Sequence, residues 1–358
     1  MQKGYAEKIF KELAARRSAP RREGELAQKI VSELNDLNLQ VKTDGAGEKI
    51  GGTTDNLIIE ADTQAPKNTL LVAHIDAVKS KTTEPIRSDG FIKNRAEGAL
   101  GADDLVGVSV ILALLRAKRD HLPPGLGIIF TVAEEIGLLG ASLLPGDYVK
   151  RYDHAIVMDG EAPAGTIFYE EPAAGFFAFT LTRRNDGEEM TARQKMLLRR
   201  IRHYWEKNDL CVVSHLIPGP LPVWEFFQEE ILIVGIRGEE ISRINSLWQR
   251  RIKELQRHFG IRRSDFVSRV LHFCSGYNFE SIPPWLSSLK SSLQSTGLDV
   301  EFQKSSHISE ANKMSQFGLE SVNLGMGYSH GHTSREKLDI SSLKALEKAL
   351  YFYTKGSE

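Results

Sequence analysis

Thr69-Leu-Leu-Val-Ala-His74-Ile-Asp76 sets five strand-compatible residues directly before a histidine and, two places on, a carboxylate. The same design recurs. Gly127-Ile-Ile-Phe-Thr-Val-Ala133 runs into Glu134-Glu135, and Ala155-Ile-Val-Met158 runs into Asp159. Short apolar runs rich in β-branched residues and bounded by Gly and polar residues read as buried strands of an α/β sheet. Between the first two runs lies Gly101-Ala-Asp103-Asp104, and near the C-terminus Val322-Asn-Leu-Gly-Met-Gly327 leads through a loop to His332. Ligand sites in such sheets lie just beyond the carboxyl ends of the strands. These side chains are therefore placed to converge despite their separation along the chain.

The surrounding sequence fills in the architecture. Residues 5–36 carry an apolar face through Ile9, Phe10, Leu13, Leu26, Ile30, Val31 and Leu34, and Ser18-Ala-Pro20 divides them into two helices. A strand near Leu39–Val41, a Gly-rich turn over Asp44–Gly52 and a strand at Asn56–Glu60 follow. Strands then alternate with helices, such as Leu105–Lys118, up to Asp159, which predicts a mainly parallel, twisted sheet flanked by helices. After about residue 164 the pattern changes. Strands at Phe176–Leu181 and Ile231–Ile236 each precede a long charged helix, Thr191–Lys207 and Glu240–Phe259, and Leu216–Trp224 is a rigid, proline-rich loop. Past Pro283-Pro284 come a helix at Trp285–Thr296, a strand at Leu298–Phe302 and a last helix at Ser341–Tyr353. The expected plan is an α/β catalytic domain in two parts, 1–163 and 280–358, interrupted by an inserted α+β lid at 164–279.

The bulk figures exclude several classes of function. With 358 residues, 41% hydrophobic and 26% charged, the chain is of ordinary globular composition and long enough for two domains. A net charge of −1 gives no general pull toward nucleic acid or acidic membranes, and no stretch approaches the ~18–20 apolar residues of a membrane span. Cys211 and Cys274 fit no disulfide framework, and the charged Met1–Lys8 segment has no apolar core behind it. Both point to a soluble, cytoplasmic protein.

The clustered residue types suit metal-assisted hydrolysis. Divalent ions such as zinc are held by His nitrogen and carboxylate oxygen, and hydrolytic sites leave a position open for water. Two such ions roughly 3.5–4 Å apart need about five protein ligands with one carboxylate shared. The water also needs a base that is not a ligand. Glu134 and Glu135 are adjacent at a strand end and point in different directions, so one can bind metal while the other faces water. Asp76, on the same face as His74, is placed to accept the second imidazole N–H. Taken singly each residue has a plainer reading: Asp103 or Asp104 as a helix cap, His74 as a structural histidine, Glu134-Glu135 as solvated charges, Asp159 as a turn residue.

Five motifs in this order closely resemble the M20 metallopeptidases, and within them the peptidase T-like (tripeptide aminopeptidase-like) branch. They are His74-Ile-Asp76, Gly101-Ala-Asp-Asp-Leu-Val-Gly107, Ala133-Glu-Glu-Ile-Gly137, Val157-Met-Asp-Gly160 and His332-Thr-Ser-Arg-Glu336. The resemblance covers about residues 20–165 and 285–350. It implies a zinc-exopeptidase-like fold and two divalent metal ions, zinc first, with manganese and cobalt also suited to the ligands. It further implies that Asp103 bridges the ions, with Glu135 and His332 on one and His74 and Asp159 on the other. Glu134 is then the general base and Asp76 the orienting carboxylate, with a cis peptide between Asp103 and Asp104. His330 competes with His332, and the family's His-x-x-x-Glu spacing favours His332.

The inserted segment departs from the family. The usual Gly-x-x-Ala-His-Ala-Gly motif after the first lid strand is missing, since Phe179-Thr-Leu-Thr-Arg-Arg-Asn-Asp-Gly187 runs straight into a charged helix. A homodimer through the lid is thus an open expectation. His215 stands where a lid histidine would steady the oxyanion, Arg237 where a strand-end arginine meets a substrate carboxylate, and Asn312 in Glu310-Ala-Asn312, close to the family's Asp-Ala-Asn. These three are the expected substrate-binding residues. The expected reaction is removal of the N-terminal residue of a short peptide. An N-acyl-amino-acid amidohydrolase or carboxypeptidase on the same metal centre is the alternative, and a non-catalytic binding protein is a third reading.

Overall fold

The computed structural model describes residues 4–60, 68–78, 82–119, 121–182, 190–207, 211–212 and 231–354. Two helices open it, α1 (Tyr5–Ala14) and α2 (Gly24–Asn35), which bury Ile9, Phe10, Leu13, Leu26, Ile30 and Leu34. They part at the predicted break around Pro20, since proline cannot continue a helix interior. The edge strand β1 (Val41–Thr43) leads into the glycine-rich stretch. Instead of a plain turn this stretch closes one turn of helix, α3 (Ala46–Ile50), because Asp44 Oδ1 and Asp55 Oδ1 accept the Ala46 and Gly47 N–H groups at 3.0 and 2.8 Å. Strands β2 (Leu57–Glu60) and β3 (Thr69–His74) follow, then a hairpin, β4 (Pro85–Ser88) and β5 (Phe91–Asn94). Helix α4 (Ala102–Ala117) is apolar on nearly every side and buried almost throughout, as a helix inside a core must be. After it come β6 (Leu126–Thr131), the short α5 (Gly146–Val149), β7 (His154–Gly160) and β8 (Thr166–Glu171).

The insert is a small domain with its own sheet. It holds β9 (Ala173–Leu181), α6 (Ala192–Glu206), β10 (Cys211–Val212), β11 (Leu232–Gly238), α7 (Ile241–Phe259) and β12 (Phe266–Cys274). The sheet order is β10-β11-β9-β12, all antiparallel. Alternation along the strands sends Phe177, Phe179, Leu232 and Val234 to one face, where Leu198, Trp205, Trp248 and Leu255 of the two helices cover them. Phe176, Ala178 and Ile233 point the other way and join the core of the large domain.

The chain then returns through β13 (Tyr277–Asn278), α8 (Pro284–Gln294), β14 (Glu301–Lys304), α9 (Glu310–Gln316), β15 (Glu320–Gly325), β16 (Tyr328–Ser329), β17 (Lys337–Asp339) and α10 (Ile340–Tyr353). The large sheet runs β1-β2-β6-β3-β7-β15-β8-β13, with β14 beside β8. Its centre, β6-β3-β7-β15, is parallel and its β1-β2 edge antiparallel. A third sheet, β16-β17-β5-β4, ties the hairpin to the C-terminal segment. Leu70–Ala73, Ile128–Phe130 and Ala155–Met158 are buried on both faces of the parallel centre, which is why those runs read as unbroken apolar stretches.

The borders of the insert differ from expectation. Residues 166–171 and 277–278, inside the expected 164–279, belong to the large sheet, because β8 pairs with β14 and β15. The separate lid sheet runs from Ala173 to Cys274. The strand expected at 298–302 begins only at Glu301, where it meets Thr166. The loop expected at 216–224, like His215, lies outside the described residues. No helix among the described residues is long and apolar enough to cross a membrane.

Candidate metal centre

The parallel registers align the donor residues. Val72 stands opposite Val157, so His74 and Asp159, each two residues further on, are level at neighbouring strand ends and on the same face. On the other side of β3, Thr131 is opposite His74, and the chain then turns at Ala133, which has a left-handed φ of 53°. His74 Nε2 is 2.9 Å from Asp103 Oδ1, 3.5 Å from Asp159 Oδ1 and 3.9 Å from Glu134 Oε2. His332 Nε2 is 3.0 Å from both Asp103 Oδ2 and Glu135 Oε2. The two oxygens of Asp103 thus face different histidines. Donor atoms of His74, Asp103 and Asp159 lie within 4.8 Å of one another, as do those of Asp103, Glu135 and His332. His330 enters none of the donor groups among the described residues, and its backbone N–H donates to Glu161 Oε1 at 2.6 Å.

Buried carboxylates fix the backbone beneath these side chains. Asp76 Oδ1 and Oδ2 accept the N–H groups of Glu134 and Glu135 at 2.9 and 3.1 Å. Glu23 Oε1 accepts that of Ala133 at 3.0 Å, so three consecutive N–H groups are held. Asp76 meets the His74 ring mainly through its carbonyl oxygen, 3.0 Å from Nδ1, with the carboxylate Oδ1 at 3.5 Å. The Asp103–Asp104 peptide is cis. Asp104 behaves as the cap, accepting from Gly107 N and His74 N at 3.2 Å each, while Asp103 is turned to the histidines. Gly107 has no room for a side chain, since a Cβ would stand 2.6 Å from both Met158 O and Asp104 Oδ1. That closeness sets α4 against the strand carrying Asp159.

The field here favours cations. Burial alone would discharge His74, but Asp103, Asp159 and Asp76 outweigh it and push its pKa well above the ordinary value. His332 is pushed up to about 12 by Asp103 and Glu135 against the same burial cost. Burial raises the carboxyl of Glu135 to about 7 and that of Glu134 well above its ordinary range, with Glu310 and Asp159 adding to the latter. A pocket that holds protons so firmly on its histidines draws a divalent ion by the same potential, and a bound ion needs those nitrogens free of protons.

The pattern described as Peptidase family M20/M25/M40 matches residues 70–355. The chain belongs to this family. It is a metal-dependent hydrolase of the peptidase class. Over 363 residues the M20 chain is 25% identical to YqjE, an uncharacterized protein of Bacillus subtilis strain 168, covering 93% of each. Its fold is similar to that of a tripeptidase from Staphylococcus aureus subsp. aureus Mu50, with TM-score 0.71, 23% identity and 98% of this chain against 97% of that one. It is likewise similar to aminopeptidase PepT from Bacillus cereus ATCC 10987, with TM-score 0.70, 19% identity and the same coverage. YXEP of Bacillus subtilis, described as a dinuclear metal binding peptidase of the M20 family, shares the fold at TM-score 0.59 and 13% identity, over 99% of this chain and 98% of that one.

The expected substrate residues fare differently in this M20 peptidase. Arg237 is exposed, with Nη1 donating to Ser306 O at 3.0 Å, beside His307. The side chain of Asn312 is taken up by backbone groups. It is fully buried, and its amide donates to Pro172 O at 3.0 Å and Ser275 O at 2.9 Å while its oxygen accepts from Ser309 N. Those two carbonyls lie at the two chain crossings between the large sheet and the insert's sheet, so Asn312 ties the crossings together. Its neighbour Glu310 is a participant the sequence left unassigned. A carboxylate oxygen of Glu310 lies within 4.8 Å of donor atoms of Glu134 and Asp159, and Thr131 Oγ1 donates to its Oε1. Nothing in the sequence marks Glu23, whose partners are backbone groups.

Proposed function

We propose that this M20 peptidase removes the N-terminal residue of short peptides with two divalent metal ions, zinc foremost. The observation carrying the reading is Asp103, one carboxylate turned by its two oxygens to His74 and His332. His74 and Asp159 would hold one ion and Glu135 and His332 the other, with Asp103 between them. Bound ions there would polarise the scissile carbonyl and acidify a water. Glu134 belongs to neither of the two groups built on Asp103 and lies 3.9 Å from His74 Nε2, where it takes the proton of the attacking water and returns it to the leaving nitrogen. Asp76 acts through the backbone of Glu134 and Glu135. Arg237 is a cation suited to the carboxylate of a peptide.

Metal analysis of the purified protein, with cleavage of free-amine tripeptides set against N-acylated amino acids, tests this. The expected result is two ions per chain, chelator-sensitive cleavage and a preference for the free amine. Faster turnover of N-acyl substrates would instead favour an amidohydrolase, and a metal-free, inactive protein would favour a binding role.

A further inference from the structure

Glu336 contributes no donor atom to either group, yet it is only 2% exposed and fully engaged. Its Oε2 accepts the N–H groups of Leu100 and Gly101 at 2.7 and 3.0 Å, and its Oε1 those of Ala102 and Asp103 at 2.6 and 3.1 Å. Four consecutive backbone donors, ending at Asp103 itself, converge on one carboxylate. Gly101 permits this with a left-handed φ of 80°. Glu336 also stands four residues after His332 on the segment entering β17. One stretch of chain thus delivers His332 directly and fixes the backbone of Asp103 from behind.

The same corner holds Glu135. Arg17 Nη1 donates to Val78 O at 2.8 Å, and Val78 N donates to Glu135 Oε1 at 3.2 Å. Arg17 Cδ lies close against Gly101, and its charge faces both Glu336 and Glu135. The group of Asp103, Glu135 and His332 therefore has a framework of its own. Apart from the shared Asp103, the other group rests on different supports: Asp104 under His74, and Asn323, whose Oδ1 accepts Asp159 N at 3.1 Å.

We propose that Glu336 is a positioning residue that sets the second of the two metal sites by holding Asp103 within reach of His332 and Glu135. The inference rests on the two-ion reading above. A carboxylate suits the task because both oxygens accept. The amide of glutamine would point an NH2 donor at two backbone donors. Partners behind a ligand typically change metal affinity 10–100-fold.

Apo wild type, Glu336→Gln and Glu336→Asp would be titrated with Co(II), followed by absorption and by electron paramagnetic resonance, with thermal unfolding of each apo protein as the check on folding. Wild type should bind two ions that couple magnetically. Glu336→Gln should bind the first ion with unchanged affinity, bind the second about 10–100-fold more weakly and lose the coupling. Its peptidase activity should recover on adding excess metal. The aspartate variant keeps both oxygens on a shorter arm and gives the same comparison should glutamine prevent folding. Wild-type affinity and coupling for the second ion in both variants, or equal weakening of both ions, would overturn the proposal. A wild type that takes a single ion would overturn the two-ion reading, and this inference with it.

Discussion

Asp76 grips Glu134 through the backbone: its Oδ1 accepts the Glu134 N–H at 2.9 Å, and its other oxygen takes the neighbouring Glu135 N–H. The aim of two side chains with different expected tasks thus depends on one buried carboxylate. Asp76→Ala would release both N–H groups. We expect kcat to fall about 10–100-fold, in the range of other supporting-shell losses, with little change in KM. Steady-state kinetics on a tripeptide checks this, and an unchanged kcat would take Asp76 out of the positioning role.

Glu134→Gln keeps the shape and the hydrogen-bonding reach of the side chain but removes its proton affinity. The rate should fall by about 10²–10⁴, the usual share of a general base. Metal content should stay at the wild-type level, since neither of the two groups built on Asp103 includes Glu134. Full activity in this variant would assign the base elsewhere.

Asn312→Ala removes the two donors that hold Pro172 O and Ser275 O at the chain crossings. Buried groups that lose a hydrogen-bond partner cost about 1–3 kcal/mol. Urea unfolding should show that loss, and amide exchange should quicken in β9 and β12, the strands that enter and leave the lid. Exchange unchanged in those strands would argue that other contacts hold the domains together.

His154 offers a test in acid, well away from the metal centre. Its ring stacks on Trp285 at 4.2 Å, and Nε2 lies 3.0 Å from Thr69 Oγ1 and 2.7 Å from Tyr353 OH. Burial lowers its pKa from 6.5 to about 4. Between those values the unfolded chain binds a proton that the folded one refuses. Stability is therefore full above pH 6.5 and declines as the pH falls to about 4, by about 3 kcal/mol from this group. His154→Gln should flatten that part of the stability curve, as measured by urea unfolding across pH 4 to 7.

The convergence of the candidate donors was legible because His74, Glu134-Glu135 and Asp159 each follow an apolar run, and parallel register turns such endings into neighbours. His74 and Asp159 could be paired from their runs alone, and the glutamate four places after His332 separated that histidine from His330. Asp76 was legible only in part. Spacing placed its carboxylate at the His74 ring, but the N–H groups of Glu134 and Glu135 draw it away and leave its carbonyl oxygen nearer to Nδ1. The backbone ties of Asn312 were not legible, because its partners are carbonyls remote in sequence, which no motif records. The lid borders slipped for a related reason. β8 and β13 fall inside the stretch that the changed pattern gives to the insert, and only pairing with β14 and β15 claims β8 for the large sheet.

The tie from Glu336 back to Leu100–Asp103 bridges more than 230 positions. A nascent polypeptide emerging from the ribosome, however well its first half has folded, lacks both this tie and His332 until the chain has been made past residue 336. Any truncation short of His332 would leave Asp103 with a single imidazole to face. On the two-ion reading, the paired centre therefore waits for a segment made more than 200 residues after Asp103, so a chain halted between the two would lack it.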